Sequence, residues 1–196
     1  MEEREGAVVF DGTPVTLVGP EIKVGQKAPE FEALDAERKT VTLADSAGTI
    51  RLFSSIPDLE KPICNLQTQR LEQEAKQFSN VLMYTISTDS PGDQQHYCSE
   101  YAIENLKTLS DYPEYSFGKA YGVLIEGLNR LVRAIFVIDG NDLVRYVEYA
   151  INSTENVDDF QVMRTLKALS NEEGTATSGD WHVKEHYYKP QKYPSP

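Results

Sequence analysis

Residues 50–87 read IRLFSSIPDLEKPICNLQTQRLEQEAKQFSNVLMYTIS, and this stretch decides the fold of the chain. Residues 50–56 are largely apolar and predict a buried strand. Residues 67–78 are rich in Gln, Glu, Leu and Ala and predict a helix, and residues 81–87 predict a second strand. A strand, a helix and a strand in this order form a β-α-β unit, whose crossover is nearly always right-handed. The stretch therefore predicts a parallel pair of strands in the main sheet.

Cys64 falls at the start of the predicted helix. Pro62 suits the first helical position, because the amide proton that proline lacks would have no partner there. Cys64 then lies in the first turn, near free backbone N–H groups and the positive end of the helix dipole. A thiol so placed has its pKa lowered from about 8.5 to roughly 3.5–7.5, and the thiolate is the reactive form. Position alone leaves two readings open, a reactive thiolate and a small buried hydrophobic residue.

The flanking segments complete a mixed α/β architecture. Residues 8–10 and 15–18 predict an N-terminal β-hairpin around Asp11-Gly12, and residues 93–104 predict a second helix, which contains Cys98. Residues 132–138 and 143–149 predict an antiparallel pair. The closing helix, predicted over residues 157–169, carries an apolar face made of Val157, Phe160, Met163, Leu166 and Leu169. This order predicts a mixed central sheet with helices on both faces, as a thioredoxin-like fold needs.

Length and charge limit the organisation of the chain and its partners. The 196 residues suit one domain with an appendage. We assign residues 1–169 to the domain and residues 170–196 to a polar, aromatic extension that lacks its own core. The chain has 31 acidic and 19 basic residues, a net charge of -12. This charge opposes binding to nucleic acid or to an anionic membrane, so neither partner is expected.

The N-terminus and the cysteine content indicate a cytoplasmic protein. The chain has no run of about 18 apolar residues, and its acidic N-terminus lacks the pattern of a secretion signal. Only two cysteines are present, Cys64 and Cys98, which are too few for a disulfide scaffold. With three histidines and no third cysteine, no metal site is expected.

Eight ordered segments resemble the atypical two-cysteine peroxiredoxins of the bacterial thiol peroxidase subfamily. They are VTLVG (15–19), VGQKAPEF (24–31), PIC (62–64), QT (67–68), TISTD (85–89), LSD (109–111), FGKAYGV (117–123) and RAIFV (133–137). The likeness spans roughly residues 8–169. It implies a homodimeric, cofactor-free enzyme that reduces hydrogen peroxide and organic hydroperoxides and is regenerated by thioredoxin.

The resemblance also implies the roles of four residues. Cys64 matches the peroxidatic cysteine, which attacks the peroxide O–O bond and becomes a sulfenic acid. Cys98 matches the resolving cysteine, which condenses with that sulfenic acid in the same chain. Arg133 matches the arginine that holds the thiolate and the peroxide oxygens, and Pro57 matches the proline that shields the sulfur.

Lys61 departs from this pattern. The family has threonine, or occasionally serine, three residues before the peroxidatic cysteine. A hydroxyl both donates and accepts hydrogen bonds, whereas an ammonium only donates, so Lys61 cannot orient a peroxide in the same way. We therefore expect weakened activity. Two alternatives to an active peroxidase follow, a redox-sensing protein and a degenerate homologue that acts by binding.

Overall fold

The structure is a computed structural model that describes residues 2–153, 155 and 157–172. The strands are β1 (Glu3–Phe10), β2 (Thr13–Val18), β3 (Glu32–Leu34), β4 (Thr40–Thr42), β5 (Ile50–Ser55), β6 (Val81–Ser87), β7 (Lys107–Ser110), β8 (Leu124–Ile125), β9 (Arg130–Leu131), β10 (Ala134–Ile138) and β11 (Val144–Tyr149). The helices are α1 (Pro62–Ala75), α2 (Pro91–Glu100), α3 (Ser116–Ala120) and α4 (Asp159–Glu172).

The main sheet has seven strands in the order β11-β10-β5-β6-β7-β3-β4. Strand β6 pairs in parallel with β5 and with β7, and the remaining pairs are antiparallel. The predicted β-α-β unit and the antiparallel pair of β10 with β11 are therefore confirmed. The sheet is mixed, as predicted, and every residue of the interior strand β5 is buried.

The predicted N-terminal hairpin is also confirmed, and it belongs to a second sheet. Strands β1 and β2 pair antiparallel, and the sheet continues through β8 to β9. The turn between β1 and β2 has positive φ at Asp11 (48°) and Gly12 (82°), which is the backbone conformation that the Asp-Gly pair predicts. The hairpin turn thereby projects towards the end of the main sheet where α1 begins, as its contact with Lys61 shows.

The two faces of the main sheet pack against different elements. Alternate side chains of a strand point to opposite faces, so neighbours such as Leu52 and Phe53 belong to separate hydrophobic clusters. One cluster contains residues of α1, α2 and α4, and the other contains Phe117 of α3 together with Leu17 of the hairpin. Helices therefore cover both faces, as predicted.

Helix α2 differs from its prediction at both ends. It begins at Pro91, because Ser90 is the N-cap and its Oγ accepts a hydrogen bond from the Asp93 amide at 3.2 Å. It ends at Glu100 rather than at residue 104, since Ala102 has a φ of 51°, which a right-handed helix cannot contain.

The predicted apolar face of α4 is wrong at Phe160, whose exposed fraction is 73%. The helix buries Val162 in its place, whereas the predicted Leu166 and Leu169 are buried and Met163 is partly buried. Three residues turn a helix by about 300°, so a strict three-residue spacing drifts steadily around its surface and cannot stay on one face. The helix continues to Glu172, and residues 173–196, most of the predicted extension, lie outside the described residues.

Candidate active site

Cys64 lies in the first turn of α1, as predicted. Lys61 is the N-cap, with φ -60° and ψ 130°, and Pro62 is the first helical residue. The Cys64 amide donates to the Lys61 carbonyl at 2.9 Å. The cysteine is completely buried, with an exposed fraction of 0%. The sulfur is therefore close to the helix N-terminus but sealed from water.

Burial raises the pKa of the Cys64 thiol to about 11, so the predicted lowering is wrong for this closed form. Removing a thiolate from water disfavours the charged form, and this effect is the largest one acting on the sulfur. The Arg133 guanidinium, the Asp58 backbone N–H and the Lys61 ammonium act in the opposite direction, in that order of strength. The site thus contains the groups that stabilise a thiolate, but desolvation outweighs them while the site is closed.

Arg133 directly precedes β10 and is nearly buried, with an exposed fraction of 2%. Its Nε and Nη2 donate to Gln67 Oε1 at 3.0 Å and 2.5 Å, and its Nη1 donates to the Glu155 carbonyl. Gln67 is fixed in turn, because its Nε2 donates to Ser54 Oγ at 2.8 Å. The acceptors of these hydrogen bonds are uncharged oxygens, so they orient the guanidinium without cancelling its charge. Gln67 belongs to a sequence motif, but no pattern in the chain predicts this role for it.

The loop between β5 and α1 is held from two sides. The Leu59 amide donates to Asp89 Oδ2 at 3.0 Å. Arg130 Nη1 donates to the Pro57 carbonyl at 3.0 Å and lies 3.5 Å from Asp58 Oδ2 and 3.7 Å from Asp89 Oδ1. Arg130 therefore positions the loop that supplies an N–H group to the thiol. Sequence reasoning missed it, since nothing in the chain order brings residue 130 to this loop.

Lys61 faces the N-terminal hairpin. Its Nζ lies 3.1 Å from Asp11 Oδ2 and 4.6 Å from the centre of the Phe10 ring. Asp11 is itself held by Ser153, whose Oγ accepts from the Asp11 amide at 3.1 Å. The ammonium is thus paired with a carboxylate, and its lowering effect on the pKa of Cys64 is weaker than that of Arg133.

A small cleft separates the hairpin from Arg133. Its volume is about 10 Å³, and it is lined by Val8, Val9, Phe10, Pro57, Val132, Arg133, Ala150 and Ser153. This is space for about one water molecule. Pro57 and Arg133 thus meet at one cleft, but in the closed form the cleft admits only a very small ligand.

Cys98 lies on α2, apart from this cleft. Its Sγ is 3.4 Å from Thr108 Oγ1 on β7, and partial burial raises its pKa. Both Cys98 and Cys64 are free thiols, and Cys98 packs at the edge of the hydrophobic cluster that contains Cys64. The structure thus shows the reduced form, in which the two thiols occupy neighbouring helices.

Within the described residues, no group of three or more His, Cys, Asp or Glu side chains is arranged to hold a metal ion. None of the helices in the same residues has the length and apolar character to cross a membrane.

Residues 24–147 match the AhpC/TSA family. The chain is 44% identical over 162 residues to the thiol peroxidase of Halalkalibacterium halodurans, covering 83% of this chain and 98% of that protein. It is 40% identical to the thiol peroxidase of Bacillus subtilis, covering 83% and 97%. The chain belongs to the AhpC/TSA family. Within this family it falls in the bacterial thiol peroxidase subfamily, which confirms the resemblance.

Solved structures of similar proteins confirm the thioredoxin-like fold. The peroxiredoxin-like protein from Aquifex aeolicus superposes with a TM-score of 0.78 at 31% identity, covering 84% of this chain and 97% of that one. The thiol peroxidase from Chromobacterium violaceum superposes with a TM-score of 0.75 at 21% identity, covering 85% and 97%, and supports the fold alone.

Proposed function

We propose that the chain is a thiol-dependent peroxidase that reduces hydrogen peroxide and organic hydroperoxides through Cys64. The observation that carries this proposal is the convergence of the α1 N-terminus, the Arg133 guanidinium and the Asp58 amide on one cysteine. In the first half-reaction the Cys64 thiolate attacks a peroxide oxygen and the O–O bond breaks. The sulfur becomes a sulfenic acid, and the second oxygen takes up a proton and leaves as water or an alcohol.

Arg133 has two tasks in this reaction. Its positive charge favours the thiolate, and its donors can stabilise the negative charge that develops on the leaving oxygen. Gln67 holds the guanidinium in place for both tasks. Pro57 lines the cleft beside Arg133, and its proposed role is to keep bulk water from the sulfur.

The reactive form must be more open than the form in the structure. The Cys64 thiol is protonated at neutral pH while it is sealed, and the cause is desolvation rather than a missing positive charge. Opening the surroundings of Cys64 to water or peroxide removes that cause and leaves the stabilising effects of Arg133 and the Asp58 amide. Substrate entry and thiolate formation are therefore one coupled event in this proposal.

In the second half-reaction Cys98 resolves the sulfenic acid. Its sulfur attacks Cys64, the S–O bond breaks, an S–S bond forms, and the oxygen leaves as water with the Cys98 proton. The two cysteines lie on separate helices, and a disulfide requires Cα atoms within about 7 Å, so we propose that both helices unwind locally. Thioredoxin is the proposed reductant. Two free thiols also suit a reducing compartment, in keeping with a cytoplasmic enzyme.

A redox-sensing role is the second candidate, and Lys61 favours it. The side chain at the N-cap makes no hydrogen bond to the helix, and its ammonium is directed to Asp11. No hydroxyl is therefore supplied at this position to orient a peroxide. A slow first half-reaction followed by a stable disulfide would suit a sensor better than an enzyme with continuous turnover.

Peroxide consumption by freshly reduced protein, with and without thioredoxin and its reductase, separates these functions. An enzyme turns over continuously with thioredoxin, and Cys64→Ser abolishes consumption. Cys98→Ser is the matched control, because it should consume about one equivalent per chain and then stop. Consumption of one equivalent by the parent, with no gain from thioredoxin, would identify a sensor. No consumption above that of Cys64→Ser would contradict the peroxidase proposal and leave the binding homologue.

A further inference from the structure

Glu72 is a buried carboxylate that the peroxidase mechanism does not use. It lies on α1, two turns after Cys64, and its exposed fraction is only 2%. Its Oε2 accepts the Asn105 amide at 2.9 Å and the Leu106 amide at 3.0 Å, and its Oε1 accepts Asn105 Nδ2 at 2.6 Å. Burial alone raises the pKa of Glu72, but these bonds together with the Glu104 amide outweigh it and lower the pKa. The carboxylate is therefore ionised and strongly bound.

The residues that donate hydrogen bonds to Glu72 follow the helix of Cys98 in the chain. The Cys98 carbonyl accepts the Ile103 amide at 3.0 Å, and the next residues, 104–106, are those that donate to the carboxylate. A single side chain of the Cys64 helix thus fixes the turn that ends the Cys98 helix. We refer to Glu72 and residues 104–106 as the carboxylate clamp.

We propose that Glu72 is a positioning residue for the second half-reaction, in which its clamp keeps Cys98 in its reduced place and slows disulfide formation. This inference rests on the proposed function. In the proposed second half-reaction the end of α2 unwinds as Cys98 moves towards Cys64, and this pulls the segment that begins at residue 104 away from Glu72. Hydrogen bonds to a charged group are the strong ones, so the clamp opposes this movement.

The opposite effect, in which the clamp tethers Cys98 near its target, is too weak to dominate. Without the clamp the mobile segment would lengthen only from residues 91–103 to residues 91–106, because β7 begins at Lys107. The entropy of loop closure changes very slowly with length. The loss of charged hydrogen bonds is the larger effect, and so releasing the clamp should accelerate the reaction.

Rapid-quench alkylation followed by mass spectrometry can test this, since it times the loss of the Cys64 thiol and the appearance of the disulfide separately. Glu72→Gln keeps the size of the side chain but turns an amide donor towards N–H donors. Asn105→Ala removes one bond of the same clamp at an exposed position and serves if Glu72→Gln does not fold. Glu74→Gln, on the same helix, is the matched control.

In Glu72→Gln we expect disulfide formation to be at least about fivefold faster, the ratio that weakening a charged hydrogen bond produces. Disulfide formation should also be faster in Asn105→Ala. In both variants the rate of Cys64 oxidation should stay within about twofold of the parent's, a smaller change than the loss of one such hydrogen bond would cause. Amide hydrogen exchange over residues 98–106 should also be faster. An unchanged or slower second step in both clamp variants, with the first step intact, overturns the inference alone. Absence of any disulfide in the parent overturns both this inference and the proposed resolving role of Cys98.

Discussion

At Cys64, burial and the surrounding positive groups act on the thiol in opposite directions. The position of the residue in the first turn of a helix could be predicted from Pro62 and the pattern that follows. Its complete burial could not, because burial depends on the loop and on Arg133, which are distant in the chain. The predicted pKa was wrong for this reason: the helix N-terminus is local, while desolvation is set by the whole fold.

Alkylation of reduced Cys64 should be slow at neutral pH. A thiol with a pKa near 11 is roughly one part in ten thousand thiolate at pH 7, and that fraction rises about tenfold per pH unit. Folding raises this pKa above the thiol's ordinary 9.0, so the folded state should also lose stability as the pH rises from 9 towards 11. Iodoacetamide labelling of Cys98→Ser between pH 6 and 10 measures the alkylation rate of Cys64 and its dependence on pH. A rate that levels off below pH 8 would contradict it.

Lys61→Thr should raise the rate of Cys64 oxidation by hydrogen peroxide by at least roughly tenfold, an effect of about 1.4 kcal/mol on the barrier. A threonine hydroxyl can accept and donate hydrogen bonds at a position where lysine only donates. It can also cap α1, whose N-cap side chain makes no such bond now. Capping contributes about 1 kcal/mol, which offsets the loss of a partly exposed ion pair. Stopped-flow kinetics measure the rate.

Lys61→Met is the control, because it removes the ammonium without adding a hydroxyl. If orientation of the peroxide is what lysine fails to provide, methionine should bring no comparable gain. An equal or slower rate in Lys61→Thr would show that the chain is a competent peroxidase without a hydroxyl at this position.

At the scale of elements, the loop between β5 and α1 depends on Arg130, which contacts Pro57, Asp58 and Asp89. Arg130→Met should lower the rate of Cys64 oxidation by roughly tenfold or more, since misplacing a catalytic group by about 1 Å can cost a hundredfold. Arg164→Met, at an exposed position of α4, is the matched control and should react like the parent. Equal rates in Arg130→Met and the parent would show that the loop holds its position without this arginine.

Features that neighbouring residues determine were predicted correctly, whereas features that depend on residues distant in the chain were not. The β-α-β unit and the Asp11-Gly12 turn were predictable, because an apolar run, a helix-forming run and a positive φ are each encoded by neighbouring residues. The end of α2 was not, since Ala102 adopts a positive φ that alanine does not signal. The roles of Gln67 and Arg130 were not predictable either, as both depend on side chains that meet only in the folded chain.

At the scale of the whole molecule, we predict a homodimer with a contact around Tyr112. Tyr112 is half exposed, at 50%, and its ring makes an edge contact with that of Tyr115. The predicted contact surface runs from Tyr112 to Phe117, but Phe117 is completely buried and is therefore excluded from it. Burying an aromatic ring at an interface contributes strongly to binding, and replacing it with a charge opposes association.

Sedimentation at micromolar concentration should show a dimer for the parent and a shift towards monomer for Tyr112→Arg. Leu128→Arg is the matched control, because Leu128 is exposed to a similar extent, 51%, outside this surface. A monomeric parent would contradict the dimer. A dimeric Tyr112→Arg together with a monomeric Leu128→Arg would assign the contact to the other surface.

The most direct test of the central claim is mass spectrometry of the reduced chain after a brief reaction with one equivalent of hydrogen peroxide, under non-reducing conditions. The account predicts a monomer that has lost two hydrogens and carries a Cys64–Cys98 disulfide, preceded by a sulfenic acid on Cys64 that accumulates in Cys98→Ser. Unreacted thiols, or a disulfide only between chains, would contradict it.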